Sequence, residues 1–164
     1  FSRFGSMFFA EPHQAFANLR SLLRPDARID LAVWAPPRDN LWMMEMMGVV
    51  RRHVDIPPAV PRAPGPFAFE DLEYLNEVLA AGGFSSPDIM AYTGQQPVGG
   101  VGATAQEAVS FVLSSMAVGK ALDEQGTDVR AAAEGELLEL FAKHHVPHQG
   151  VMMQGKAWLV SAKA

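Results

Sequence analysis

Five prolines fall among the eleven residues from Ile56 to Pro66, and no other stretch limits the fold as strongly. Proline fixes φ and lacks a backbone N–H, so this segment can form neither a helix interior nor a paired strand. It reads as an extended loop over one end of a sheet, and as the natural candidate for a lid. Regular structure must therefore be built on either side of it. With 164 residues and 49% hydrophobic content, the chain has enough apolar material for one domain with a sizeable core, and intrinsic disorder is excluded.

Before the prolines, Pro12 stands where a first-turn proline is tolerated, and Phe16, Leu19, Leu22 and Leu23 recur at helical spacing until Pro25. This predicts an amphipathic helix of about three turns. Arg28 to Trp34 then sets Ile29, Leu31 and Val33 against Asp30, Ala32 and Trp34, the period of a strand. Asp30 in such a strand needs a partner, and the sequence names none. Leu41 to Val54 is apolar on nearly every face, so as a helix it needs cover all round or a ligand, with Arg51 and Arg52 at its C-terminal end.

After the prolines, Leu72, Leu75, Val78 and Leu79 share one helical face, and Gly82-Gly83 supplies a left-handed stop before Phe84 returns to the core. Asp88 to Val98 reads as a strand of mixed quality, leading into the glycine-rich connection Val98 to Gly102. Thr104 with Glu107 has the form of a capping box and opens an apolar helix through Ala108, Val109, Val112, Leu113 and Met116. Its uncharged run from Ala108 to Gly119 is twelve residues, short of the roughly 20 a spanning helix needs. Gly126 and Thr127 separate it from a further helix ending around His144 to Pro147, and Lys156 to Ala164 reads as a terminal strand. Helices and strands alternate in this way in layered α/β folds.

The charge balance bears on partners. The net charge is −5, with −2 on residues 1–82 and −3 on the remainder, so neither half carries the basic surface that phosphate backbones require, and nucleic acid is not an expected partner. No membrane association is expected either. The absence of cysteine removes disulfides, thiolate metal sites and cysteine nucleophiles, and fits a cytoplasmic protein. His144, His145 and His148 invite a metal, but Pro147 breaks their helical spacing and no acidic partner stands at a metalloprotease distance, so no metal site is expected. Gly99, Gly100 and Gly102 come nearest to a nucleotide-binding turn, without a convincing strand into them or an acidic residue ending a second strand.

Several segments carry a resemblance: the opening Phe1-Ser-Arg-Phe-Gly-Ser-Met-Phe-Phe-Ala-Glu-Pro, then Ala-Phe-Ala-Asn-Leu-Arg-Ser-Leu-Leu-Arg-Pro-Asp-Ala-Arg, Ala-Val-Trp, Gly-Pro-Phe-Ala-Phe-Glu-Asp, Leu-Ala-Ala-Gly-Gly-Phe and the closing Ala-Trp-Leu-Val. Together they span nearly the whole chain. In these the sequence resembles the class I S-adenosylmethionine-dependent methyltransferases, most closely the branch similar to quinone-biosynthesis C-methyltransferases.

The resemblance implies a Rossmann-like α/β sheet of order 3-2-1-4-5-7-6, its last strand antiparallel, with helices on both faces. Only the C-terminal half is expected here: Phe1 to Arg3 ending the fourth strand, Arg28 to Trp34 the fifth, about Asp88 to Tyr92 the sixth and Lys156 to Ala164 the seventh. Residues 1–164 would form a single partial domain, with a helical and proline-rich lid or substrate segment at about 36–68. The glycine-rich cofactor loop would precede Phe1, and the absent initiator Met suggests a truncated or processed chain.

By the same resemblance Ser2, Arg3 and Phe4 would contact S-adenosylmethionine. Phe8, Phe9, Trp34, Trp42, Met43 and Met46 are candidate walls of a pocket for a small apolar or aromatic acceptor, since Met adapts to irregular ligands. No catalytic residue can be named. The complete protein would be a methyltransferase and the isolated chain inactive. A strand left without its neighbour would expose an edge, giving a possible homodimer. The alternative is a non-catalytic small-molecule-binding or dimerisation module that has shed the cofactor half.

Overall fold

A computed structural model describes residues 1–164 as a mixed α/β chain in two compact units. The first comprises Phe1–Asp39, Ala59–Thr93 and Lys156–Ala164; the second comprises Asn40–Pro58 and Gly94–Gly155. One five-stranded sheet runs in the order β1 (Ser2–Arg3), β2 (Arg28–Trp34), β5 (Gly150–Lys163) and β3 (Ser85–Val98), and β4 (His145–Val146) also pairs with β5. No helix is long and apolar enough to cross a membrane.

In the first unit, β1 runs parallel to β2, with Ser2 opposite Leu31 and Arg3 opposite Ala32. On its other side β2 pairs antiparallel with β5, from Arg28 opposite Lys163 to Trp34 opposite Ala157. Ile29, Leu31 and Val33 are buried as the alternation requires, and Ala32 is buried as well, as expected of a strand covered on both faces. Asp30 finds its partner two residues back, where the Arg28 guanidinium donates to its carboxylate at 3.1 Å.

Helix α1 (Pro12–Ser21) begins with proline in its first turn and buries Phe16 completely. Helix α3 (Leu72–Ala81) buries Tyr74, Leu75, Val78 and Leu79. The two glycines after α3 do different work. Gly82 keeps ordinary helical backbone, and a Cβ there would lie 2.7 Å from the Phe16 Cβ, so its smallness lets α1 approach. Only Gly83, with φ of 84°, is left-handed.

Asp71 caps α3 by accepting from the Glu73 N–H at 2.9 Å, and Arg62 donates to it at 3.0 Å. The Arg62 bond, then the cap, holds its carboxyl below the usual value of 3.8. The carboxyls of Glu107, bonded to Thr104, and Glu136, bonded to Arg52, are lowered too. A carboxyl with a depressed folded-state pKa contributes stability above its unfolded pKa and loses it as pH falls through the folded value. The melting temperature should therefore fall between about pH 5 and 3, and fall less steeply in Asp71→Asn, which can still cap but cannot titrate. Parallel pH profiles for the two proteins would contradict this.

In the second unit, α2 (Leu41–Val50) buries Trp42, Met46, Val49 and Val50 while Leu41 and Met44 are exposed. The all-round cover expected for this segment is not there: packing takes one stripe, and the helix stops at Val50, four residues early. Arg52 folds back to donate to the Gly48 carbonyl at 3.1 Å and also bonds Glu136 on α6 (Thr127–His144). The single apolar helix expected after Thr104 is two helices, α4 (Ala105–Ser115) and α5 (Ala117–Asp123), broken by extended backbone at Met116. The capping box is present, with the Thr104 N–H donating to Glu107 Oε2 at 2.8 Å and the Glu107 N–H to Thr104 Oγ1 at 3.2 Å.

Two strands outrun their sequence patterns. β3 starts at Ser85 rather than Asp88 and takes in Pro87 and Pro97. It is the last strand of the sheet, where a proline need not donate to an outer neighbour. β5 starts at Gly150, six residues before Lys156. Its first part buries Val151 and Met153 in alternation.

Candidate functional site

The candidate site lies in the first unit, in the turn that leaves β1 at its carboxyl end. The Phe4 N–H donates to the Ala32 carbonyl at 2.9 Å, continuing the parallel pairing with β2 by one residue. Phe4 itself adopts a φ of 59°, uncommon for a side chain of this size. The left-handed step brings its ring flat against Trp34, at the end of β2, with centroids 4.1 Å apart and planes 10° from parallel. The turn closes where the Ser6 N–H donates to Ser2 Oγ at 3.2 Å. Ser6 Oγ is buried and has no hydrogen-bond partner within the chain.

A single 3₁₀ turn, Ser6–Phe8, follows. It buries Met7, whose sulfur accepts the Trp34 N–H at 3.3 Å. This thioether joins the β1 turn to the end of β2, and nothing local in the sequence marks it. Beyond Trp34, Lys156 donates to Asp39 at 3.0 Å and its ammonium stands 5.0 Å from the Trp158 ring centroid. The Trp158 indole N–H donates to the Glu70 carbonyl at 3.3 Å. Trp34 on β2, Lys156 and Trp158 on β5, and Asp39 in the turn after β2 thus place a half-buried ion pair and two tryptophans at this end of the sheet.

Of the residues singled out from sequence, Phe4 and Trp34 are brought into contact, Ser2 bonds Ser6 in the same turn as Phe4, and Arg3 is exposed. Phe8 and Phe9 diverge. Phe8 is 56% exposed, whereas Phe9 meets Phe16 edge-on at 6.1 Å. Trp42, Met43 and Met46 belong to the second unit: Trp42 and Met46 are buried, Met43 is half-buried, and the Trp42 indole N–H donates to Asn40 Oδ1 at 3.2 Å. Of the three late histidines, His144 bonds Glu45 at 2.7 Å, His145 lies in β4, and His148 takes a left-handed turn.

The sequence could have pointed to Met7 and Lys156 only through pairs 27 and 117 positions apart. Chemically, the arrangement offers a rigid aromatic wall, a buried hydroxyl and a neutralised charge pair, without an evident nucleophile or general base. It is suited to holding and orienting a flat or apolar group.

No family model matches the chain, and no curated protein does. A solved structure of a protein from Bacillus halodurans C-125, provisionally described as a methyltransferase, is similar at 13% identity with a TM-score of 0.47. The match covers 99% of this chain and 62% of the other, so the chain spans less than two thirds of the length of that protein.

Proposed function

We propose that the chain is the C-terminal portion of an S-adenosylmethionine-dependent methyltransferase acting on a small apolar or aromatic acceptor. The observation that carries this reading is the strand order. The resemblance expects strands four, five, seven and six side by side with the seventh antiparallel; here β1, β2, β5 and β3 stand in that order, and β5 is antiparallel to β2. A bare alternation of helices and strands does not dictate that arrangement, because most α/β sheets are parallel at such a position.

Residues 1–164 fit such a cofactor as one wall and not as a whole site. The turn from Ser2 to Ser6 leaves a buried, unpartnered hydroxyl at the end of a parallel strand, the end at which ligands bind in open α/β sheets. A glycine-rich loop between a strand and a helix, followed by an acidic strand end, is not among these residues. The cofactor would supply an electrophilic methyl on a sulfonium. This chain's part is to align the acceptor and exclude water, for which the Phe4–Trp34 stack and the buried Met7 are suited without a titrating group. Phe8, exposed in the 3₁₀ turn that also holds Met7, is the side chain we assign to acceptor contact.

Calorimetric titration of S-adenosylmethionine into this chain, beside a form extended upstream of Phe1 where the source sequence continues, tests the reading. Binding by the extended form alone is the expected result, and Trp34→Ala in that form should weaken acceptor binding more than cofactor binding. Absence of binding by either form would favour a non-catalytic binding or dimerisation module instead.

A further inference from the structure

Independently of any activity, β3 presents an edge that most proteins would protect. It closes the sheet order and pairs inward with β5, so its outer backbone groups have no strand beside them. Natural edge strands are blunted by lysines, other charges, prolines or extreme shortness; β3 carries prolines only near its two ends, Pro87 and Pro97, and none from Asp88 to Gln96. β3 has fourteen residues, its single charge is Asp88, and no Lys or Arg occurs anywhere between Arg62 and Lys120. Within the first unit, Met90 is 60% and Tyr92 57% exposed, both on the face opposite the inward-packed Ile89.

We infer that β3 of one molecule pairs antiparallel with β3 of a second copy about a two-fold axis at Ala91. An isologous contact requires the strand to complement itself. With the axis at Ala91, Met90 lies opposite Tyr92 of the second copy and Tyr92 opposite its Met90, two thioether–aromatic contacts from one register. Asp88 falls opposite Gly94, so the strand's one charge avoids its own image. Pro87, which has no N–H to donate, lies outside this pairing centre and limits its length. The low charge favours a copy of the same strand over a basic or acidic peptide, which would find nothing here to recognise. The edge at β1, only two residues long, offers far less backbone.

The absence of cysteine makes the axis directly readable. Directly opposed residues of an antiparallel pair have Cα atoms about 4.5–5.5 Å apart, within disulfide reach. Ala91→Cys is therefore expected to give a disulfide-linked dimer under mild oxidation. Thr93→Cys, equally exposed but roughly 13 Å from its symmetry mate in this register, should not. Sedimentation of the full chain should show twice the 17.8 kDa mass at about tens of micromolar, a typical range for a modest interface. Tyr92→Lys should weaken association at least about tenfold while leaving circular dichroism and melting unchanged. A monomer at about 100 micromolar would overturn the inference. So would a dimer that survives Tyr92→Lys without cross-linking through Ala91→Cys, since that dimer is joined elsewhere, as at the β1 edge.

Discussion

Replacing Phe16 with alanine should lower the unfolding free energy by about 3–5 kcal/mol, the range for deleting a buried aromatic ring. The ring is fully buried and meets three others near edge-on: Phe9 at 6.1 Å, Phe69 at 5.9 Å and Phe84 at 6.2 Å. Those rings come from the turn after β1, the connection before α3 and the residue just before β3, so Phe16 is where separate parts of the first unit converge. Gly82 packs directly on its Cβ, so the backbone cannot easily close over the cavity. Against a typical total of about 5–15 kcal/mol, the loss would leave the chain marginal. Urea unfolding followed by tryptophan fluorescence measures it, and a cost below about 1.5 kcal/mol would mean that the site collapses far more readily than its packing implies.

Gly119→Ala should be comparably damaging in the second unit. A Cβ there would lie 1.7 Å from the Leu113 carbonyl oxygen and 2.6 Å from its carbon, both backbone atoms that cannot rotate away. The chain turns sharply at Met116, and the Gly119 N–H donates to the Met116 carbonyl at 3.1 Å, so α5 sits directly on the end of α4. Accommodating the methyl means opening that corner, at or beyond the top of the about 1–3 kcal/mol usual for overpacking. Gly48→Ala and Gly135→Ala are the controls. Both lie in helices with nothing within 4 Å of the added carbon, and alanine there should stabilise by up to about 1 kcal/mol through helix propensity. Melting curves that rank Gly119→Ala with these two would contradict the corner geometry.

Phe16 and Gly119 also separate two kinds of information. Phe16 belongs to a pattern visible from sequence, since Pro12 at the helix start and the spacing of Phe16 and Leu19 mark α1 without knowledge of its partner; the helix ends at Ser21, however, and Leu22, expected on the same face, is 79% exposed. The Thr104–Glu107 capping box and the alternation in β2 are visible for the same reason: each rests on residues within one or two turns of each other. Gly119 carries no such mark. Ala108 to Gly119 is uncharged and helix-compatible, and the break at Met116 follows from how α4 and α5 pack. The β5 strand was hidden differently. Val151, Met153 and Ala157 are buried in one alternation and Val160 and Ala162 in the other, so the buried alternation changes phase between Ala157 and Val160 and no single period runs through the strand.

The candidate site divides in the same way. Phe4 and Trp34 stood out in the sequence by resemblance, whereas Met7, Asp39 and Lys156 did not, because their contacts cross 27 and 117 positions. By itself the sequence determined where α1 and α4 begin, that glycine ends α3, and which stripe of α3 is apolar, because capping, proline geometry and periodicity act over a few residues. Tertiary structure alone decided that β5 lies between β2 and β3, that one face of α2 stays in solvent, and that Trp34 meets Phe4 over a buried thioether. Those outcomes depend on which surfaces arrive together, and strand pairing and packing are satisfied between residues far apart in the chain.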